Sequence, residues 1–359
     1  MTVPADDFRC PLSGGRLRFV ERGALEPILV RGTTLDASIT GAHVSDAAGV
    51  AFPYSEGIHH FLESDALPIR EDSGSSPAAE VSNDSVRHWY DEFGWARGES
   101  GRYVDSELYA ASLEGARLYE VLSHLALVER LGRGDLLLDA GCGPLPHPEQ
   151  LEYQREFRHR VCVDFSSRAL AEARDRLGEK GTYVQAELSR LPFRDDLFDG
   201  AICAYAIMHV RQELQGATVE ELVRVTGPGR HLLFISDNPE PARRPHRIYR
   251  DCWRLITGFR RGSRETSQGR YDRQAAAPPL YFRPPGIPWW RDQARRIGVR
   301  ASVECQRVFH VEEMELYFNH SERLPHRFRR VEARFRRLLA PIGRYLLLDL
   351  VKPDPHRAA

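Results

Sequence analysis

The sequence has almost no lysine: of 50 basic residues only Lys180 and Lys352 are lysines, and arginine makes up the rest. That bias is what a GC-rich genome gives and does not by itself assign a function. Long apolar runs are missing too, so nothing approaches the roughly 18 residues of a membrane span, and no membrane partner is expected. Asp6 and Asp7 stand where a secretory signal would need a basic start and an apolar stretch, so a cytoplasmic location is expected. The six cysteines (Cys10, Cys142, Cys162, Cys203, Cys252 and Cys305) are scattered, with no two at metal-ligand spacing. Buried free thiols and no metal site are the expectation. A formal net charge of −1 removes any global case for nucleic-acid binding.

What is present is a chain of 359 residues, 42% hydrophobic, enough for one large domain or two. Charge is distributed unevenly. Residues 241–300 hold fifteen arginines against four acids, whereas the first 130 residues hold twenty-one acids against eleven arginines.

The chain is organised around Leu136-Leu137-Leu138-Asp139-Ala140-Gly141-Cys142-Gly143-Pro144, an apolar strand running into an acid and two closely spaced glycines. Gly141 and Gly143 can take positive φ and let the backbone approach a ligand, and Asp139 sets a carboxylate near the strand end, where open α/β sheets bind ligands. A dinucleotide fingerprint would need Gly or Ala where Pro146 stands. Pro144, Pro146 and Pro148 also delay the next helix to about Glu149, too far from the loop to hold a pyrophosphate. A ligand without phosphate fits better. Downstream, Val161-Cys162-Val163-Asp164 is a second buried strand ending in an acid, twenty-three residues beyond Gly141. Asp164 is placed to accept both ribose hydroxyls of an adenosine ligand, or to cap the helix that starts at Ser166 or Ser167.

The acid-x-Gly-x-Gly run resembles the first motif of class I S-adenosylmethionine-dependent methyltransferases. Three later segments match that family in order. Tyr183 to Phe193 is similar to its adenine-contacting segment, with Glu187 in place of the usual Asp and Leu188 beside it. Phe198 to Val210 is similar to the strand facing the transferred methyl in the ubiquinone and menaquinone C-methyltransferases. Glu221 to Ser236 supplies the following helix, turn and strand. The resemblance spans about residues 104–237 and implies an α/β fold, a Rossmann-like class I methyltransferase sheet with helices on both faces. It also implies S-adenosylmethionine as cofactor, bound by Asp139, Gly141, Gly143, Asp164, Glu187 and Leu188. His209 follows the methyl-facing strand and is the candidate general base, or a packed helix-start histidine; Tyr205 is a candidate orienting hydroxyl.

Residues 1–68 read as a small β-rich module with turn residues at short intervals. Cys10-Pro11-Leu12-Ser13-Gly14-Gly15-Arg16-Leu17 and Ala51-Phe52-Pro53-Tyr54-Ser55-Glu56-Gly57-Ile58 resemble the small zinc-ribbon activators of tRNA, rRNA and release-factor methyltransferases. Ser13 occupies the second cysteine position, so four zinc ligands cannot be assembled here. Residues 69–84 read as a linker, and 85–359 as the methyltransferase domain with an Arg-rich insert at about 238–285. In His88 to Trp95, Tyr90 or Trp89 can wall a cofactor, or pack as a helix face. Three functions follow: methyl transfer to a small molecule, with the insert as a lid; RNA or protein methylation, with the insert gripping a macromolecule; or non-catalytic S-adenosylmethionine binding. No Asn-Pro-Pro-Tyr or Asp-Pro-Pro-Tyr signature stands at the strand end, which reads Cys203-Ala204-Tyr205-Ala206, so small-molecule methylation ranks first.

Overall fold

The computed structural model describes residues 3–70, 83–98, 100–109, 111, 113–239, 277–318 and 322–354. Most of the expected linker and residues 240–276 of the expected insert, Cys252 among them, lie outside the described residues.

The strands are β1 (Arg18–Glu21), β2 (Ile39–Ser45), β3 (Val50–Ser55), β4 (Ile58–His60), β5 (Leu67–Pro68), β6 (Gly134–Ala140), β7 (Phe157–Asp164), β8 (Gly181–Gln185), β9 (Gly200–Ala204), β10 (His231–Asp237), β11 (Arg300–Arg307) and β12 (Tyr345–Val351). They form one sheet in the order β1-β2-β3-β4-β8-β7-β6-β9-β10-β12-β11, with β5 on β3. β8, β7, β6, β9 and β10 run parallel, and β12 lies antiparallel between β10 and β11. The central strands are near-continuous apolar runs because both faces are covered. Alternate residues point to opposite faces. Leu138 belongs to one apolar cluster with Leu222 of α6 (Gln212–Val225) and Trp290 of α7 (Ile287–Arg296), whereas Leu137 belongs to another with Leu127 and Leu131 of α4 (Glu114–Leu131). The fold is therefore a Rossmann-like α/β sheet with helices on both faces.

The chain steps from β6 outward to β8 on one side, then returns to β9 on the other. The loops after β6, β7 and β9 open at this switch point, where a crevice forms. Ahead of the sheet lie α2 (Asp84–Trp89), continuing as a π-helical turn over Tyr90–Gly94, and α3 (Val104–Tyr109). After β7 comes α5 (Ser167–Leu177), capped by the Ser166 hydroxyl, which accepts from Ala169 N–H at 3.0 Å. Between the closing strands lie α8 (Val311–Phe318) and α9 (Arg323–Leu339).

The N-terminal strands, with the short helix α1 (Arg22–Leu25) between β1 and β2, continue the same sheet. β4 pairs in parallel with β8, Ile58 opposite Tyr183 and His60 opposite Gln185. Phe8 bridges to Phe193, and Arg9 N–H donates to the Pro192 carbonyl at 3.0 Å. Phe8, Phe52 and Phe61 share one apolar cluster with Val161, Val184 and Phe193. β8 is thereby an interior strand rather than an edge.

Chains lacking residues 1–68 should expose β8 and strip the cover from Phe193, giving an aggregating or strongly destabilised remainder. Size-exclusion chromatography and thermal unfolding check this; a soluble truncation with an unchanged melting temperature would contradict it.

Candidate active site

The crevice is a cavity of about 800 Å³ whose lining includes Gly141, Gly143, Asp164, Glu187, Leu188, Tyr205 and His209. Its floor is set by the glycine loop. Gly141 and Gly143 have φ of +71° and +54°, and a Cβ on Gly143 would stand 2.9 Å from the Trp95 ring. The loop is fastened to β7. Gly141 N–H donates to the Val163 carbonyl at 2.8 Å, and Gly143 N–H to Asp164 Oδ2 at 2.8 Å. Asp164 Oδ1 accepts from Ser166 N–H at 3.0 Å. Burial raises the Asp164 carboxyl to about 6, against the pull of these two N–H donors. Asp164 thus holds the loop and faces the cavity at once.

Asp139, expected among the residues that touch the cofactor, stands apart. It is buried outside the cavity lining, and Arg160 Nε donates to its Oδ2 at 3.0 Å. Arg160 is fully buried and also donates to the Gln150 carbonyl at 2.7 Å. Neither the glycine motif nor local spacing shows this pairing, because Arg160 is on the neighbouring strand.

Glu187 Oε2 accepts from Asn83 Nδ2 at 2.9 Å, and burial raises the Glu187 carboxyl. Tyr90 lines the cavity and stacks on Trp95, ring centroids 4.7 Å apart. Trp89 turns away instead, its indole N–H donating to the Pro278 carbonyl at 2.8 Å. His209 ends a short 3₁₀ turn, Ile207–His209, with Nδ1 3.0 Å from the Tyr281 carbonyl. A carbonyl only accepts, so Nδ1 carries the proton and Nε2 keeps its lone pair. Burial lowers His209 to about 4, partly opposed by that hydrogen bond, so the ring is neutral near pH 7.

The sheet order puts β7 and β8 on one side of β6 and β10, β12 and β11 on the other, so the far end of the cavity is built by different residues. Tyr205, at φ +58°, presents its hydroxyl to Arg307 Nη2, 3.2 Å away. Arg307 is buried, lies 4.3 Å over the Tyr345 ring, and donates from Nη1 to Glu120 Oε1 at 2.8 Å. Burial raises the Tyr205 hydroxyl pKa, with Arg307 opposing. Glu120 also accepts from Arg117 at 3.0 Å. Burial alone would raise its carboxyl, but Arg307, His147 and Arg117 outweigh burial and bring it to about 2. His124 and His147 line the same end, and burial lowers both.

This polar end was not foreseen. Glu120 and His124 did leave a sign, an i,i+4 polar pair among leucines. Arg307 and Tyr345 left none, since only the long-range pairing of β10, β12 and β11 brings them in. Among the described residues no group of three or more His, Cys, Asp or Glu is arranged to hold a metal ion, and Cys10, Cys142, Cys162, Cys203 and Cys305 are buried free thiols.

Residues 138–234 match the family model of a methyltransferase domain. Curated relatives include demethylmenaquinone methyltransferases of Mycobacterium marinum, 33% identical over 104 residues (29% of this chain, 42% of the relative). That of Clavibacter sepedonicus is 28% identical over 143 residues (38% and 56%). The chain thus spans about half the length, or less, of these relatives. Similar solved structures include Haemonchus contortus phosphoethanolamine N-methyltransferase 2 with S-adenosyl-L-methionine, at 16% identity and TM-score 0.43, covering 78% of this chain and 62% of that one. An S-adenosylmethionine-dependent methyltransferase from Mesorhizobium loti aligns at 17% identity and TM-score 0.40, covering 64% and 95%.

Arg307→Met should destabilise the protein by about 3 kcal/mol, because it leaves Glu120 buried with one cation fewer. The double variant Arg307→Met/Glu120→Gln should recover much of that loss in urea denaturation. Equal stability of Arg307→Met and wild type would contradict the account.

Proposed function

We propose that this chain is an S-adenosylmethionine-dependent methyltransferase acting on a small molecule bound in the cavity. The observation that carries the proposal is the glycine loop locked to Asp164, opening onto one cavity whose far end is polar and buried. The residues fit the cofactor. The bare backbone of Gly141 and Gly143 offers close approach, and Asp164 offers a carboxylate to ribose hydroxyls. Glu187 offers an acceptor to an adenine amino group, with Leu188 as apolar wall. The loop leads into a 3₁₀ helix, Pro148–Gln154, instead of an α-helix N-terminus, which suits a ligand without phosphate. Asp139 acts through Arg160, tying β6 to β7 under the loop.

When bound, S-adenosylmethionine supplies an electrophilic methyl on a sulfonium. The chain's own work is to hold the acceptor in line and keep water out. Tyr205, fixed by Arg307, orients a polar group of the acceptor, and His209 Nε2 accepts a proton from an acceptor that must lose one. The polar end, built from the buried side chains of Glu120, His124 and Arg307, favours a small molecule over RNA or protein. The similarity to demethylmenaquinone methyltransferases points to a ring-bearing acceptor, consistent with the aromatic walls of Tyr90, Trp95 and Tyr345. Residues 1–68 serve as a zinc-free module, resembling methyltransferase activators, that stabilises the domain in cis.

Labelled methyl from S-adenosylmethionine, incubated with the protein and a host-cell extract, should enter the small-molecule fraction; label confined to RNA or protein would overturn the acceptor class. With that acceptor, His209→Ala should lower kcat about a hundredfold, and full turnover would remove the base role.

Ribose hydroxyls are donors, so binding favours ionised Asp164. Affinity for S-adenosylhomocysteine should fall as pH drops through about 6, and Asp164→Asn should flatten that dependence in calorimetric titrations. A pH-independent wild-type affinity would contradict the role of Asp164.

A further inference from the structure

Helix α9 takes no part in the cavity, yet its composition is unusual. Seven of its seventeen residues are arginines and one, Glu332, is acidic. Glu332 is buried, accepting from Arg329 at 2.6 Å and from Val308 N–H at 2.9 Å. The exposed surface of the helix therefore carries no acid. Arg323, Arg327, Arg330 and Arg334 follow one another at steps of four, three and four residues, which aligns them in one stripe on the solvent side. None of these four has an acidic partner among the described residues, whereas Arg336 and Arg337 reach Glu304 at 2.9 and 3.6 Å and fasten the helix to β11.

An apolar stripe lies alongside and crosses a kink in the helix at Phe335, where φ is −115° and ψ 16°. Of the six large apolar side chains exposed among the described residues, four are on α9, and Val331, Phe335 and Leu338 are 50%, 46% and 77% exposed. Arginines beside an exposed apolar stripe, with no acid between them, make a helix that lies in the headgroup layer of a bilayer. We infer that α9 docks on an anionic lipid surface. Val331, Phe335 and Leu338 enter the boundary of the acyl chains, and the arginine stripe meets lipid phosphates. Single-stranded RNA would satisfy the arginines but leave Val331 and Leu338 in water. A second copy of the chain would set arginine against arginine. No helix among the described residues is long and apolar enough to cross a membrane, so the contact is one of lying on the surface.

The test is co-sedimentation of the full chain with phosphatidylcholine vesicles, with or without about one third phosphatidylglycerol. Binding to the anionic vesicles, weakened by salt, is the expected result. Arg327→Gln/Arg330→Gln/Arg334→Gln should lower the partition coefficient about a hundredfold, and Val331→Ser/Leu338→Ser about tenfold. All five positions are exposed, and unchanged melting temperatures establish that the variants fold. Absence of binding to anionic vesicles overturns the inference. Binding that ignores the apolar substitutions, with equal affinity for single-stranded RNA, overturns it in favour of a nucleic-acid surface. A dimer dissolved by Val331→Ser/Leu338→Ser overturns it in favour of self-association.

Discussion

The hydrogen bond from Gly143 N–H to Asp164 is the constraint on which the site depends. It joins the loop after β6 to the end of β7, the two places where the sheet opens. Only a backbone free of side chains can make this turn, since Gly143 has positive φ and Trp95 occupies the space a Cβ would need. Tyr90, stacked on Trp95, and Cys142, whose N–H donates to the Val163 carbonyl at 3.1 Å, hold the loop from above and below. The same carboxylate that secures the loop is thereby held at the cavity wall, with its pKa raised by burial.

This arrangement extends to the N-terminal strands. His60 Nδ1 lies 2.6 Å from Gln185 Oε1, and Gln185 Nε2 donates to the Phe165 carbonyl at 3.0 Å. Phe165 lines the cavity next to Asp164. A side chain from the first 68 residues therefore supports the loop that follows β7, through one intermediary. Stability and site geometry are coupled along this edge. At the opposite end, Arg307 does comparable work: with Glu120, Tyr205 and Tyr345 it ties α4 to the closing strands.

Strands and loops with local signatures were legible in the sequence. The Leu136–Leu138 run, the glycine pair and the Val161–Asp164 run mark β6, its loop and β7 because each carries apolar burial or backbone freedom in consecutive residues. Asp164, Glu187, Leu188, Tyr205 and His209 follow strand ends, and the sheet brings all of them to one cavity. The partners were not legible. Arg160 reaches Asp139 from the adjacent strand, and Arg307 reaches Tyr205 across 102 residues of sequence; nothing in either neighbourhood records the other. The parallel pairing of β4 with β8 was hidden for the same reason, since Ile58-His59-His60 is too short to read as part of a large sheet. The arginines of α9 had been submerged in a general arginine excess until exposure separated those that pair from those that face outward.

If the locked glycine loop and Asp164 form an adenosine-ligand site, isothermal titration of the full chain with S-adenosylhomocysteine gives saturable binding at one site per chain, weakened by Gly143→Ala and free of competition from a nicotinamide dinucleotide. Absence of binding, or binding of the dinucleotide instead, would show that the loop and Asp164 serve another ligand or none.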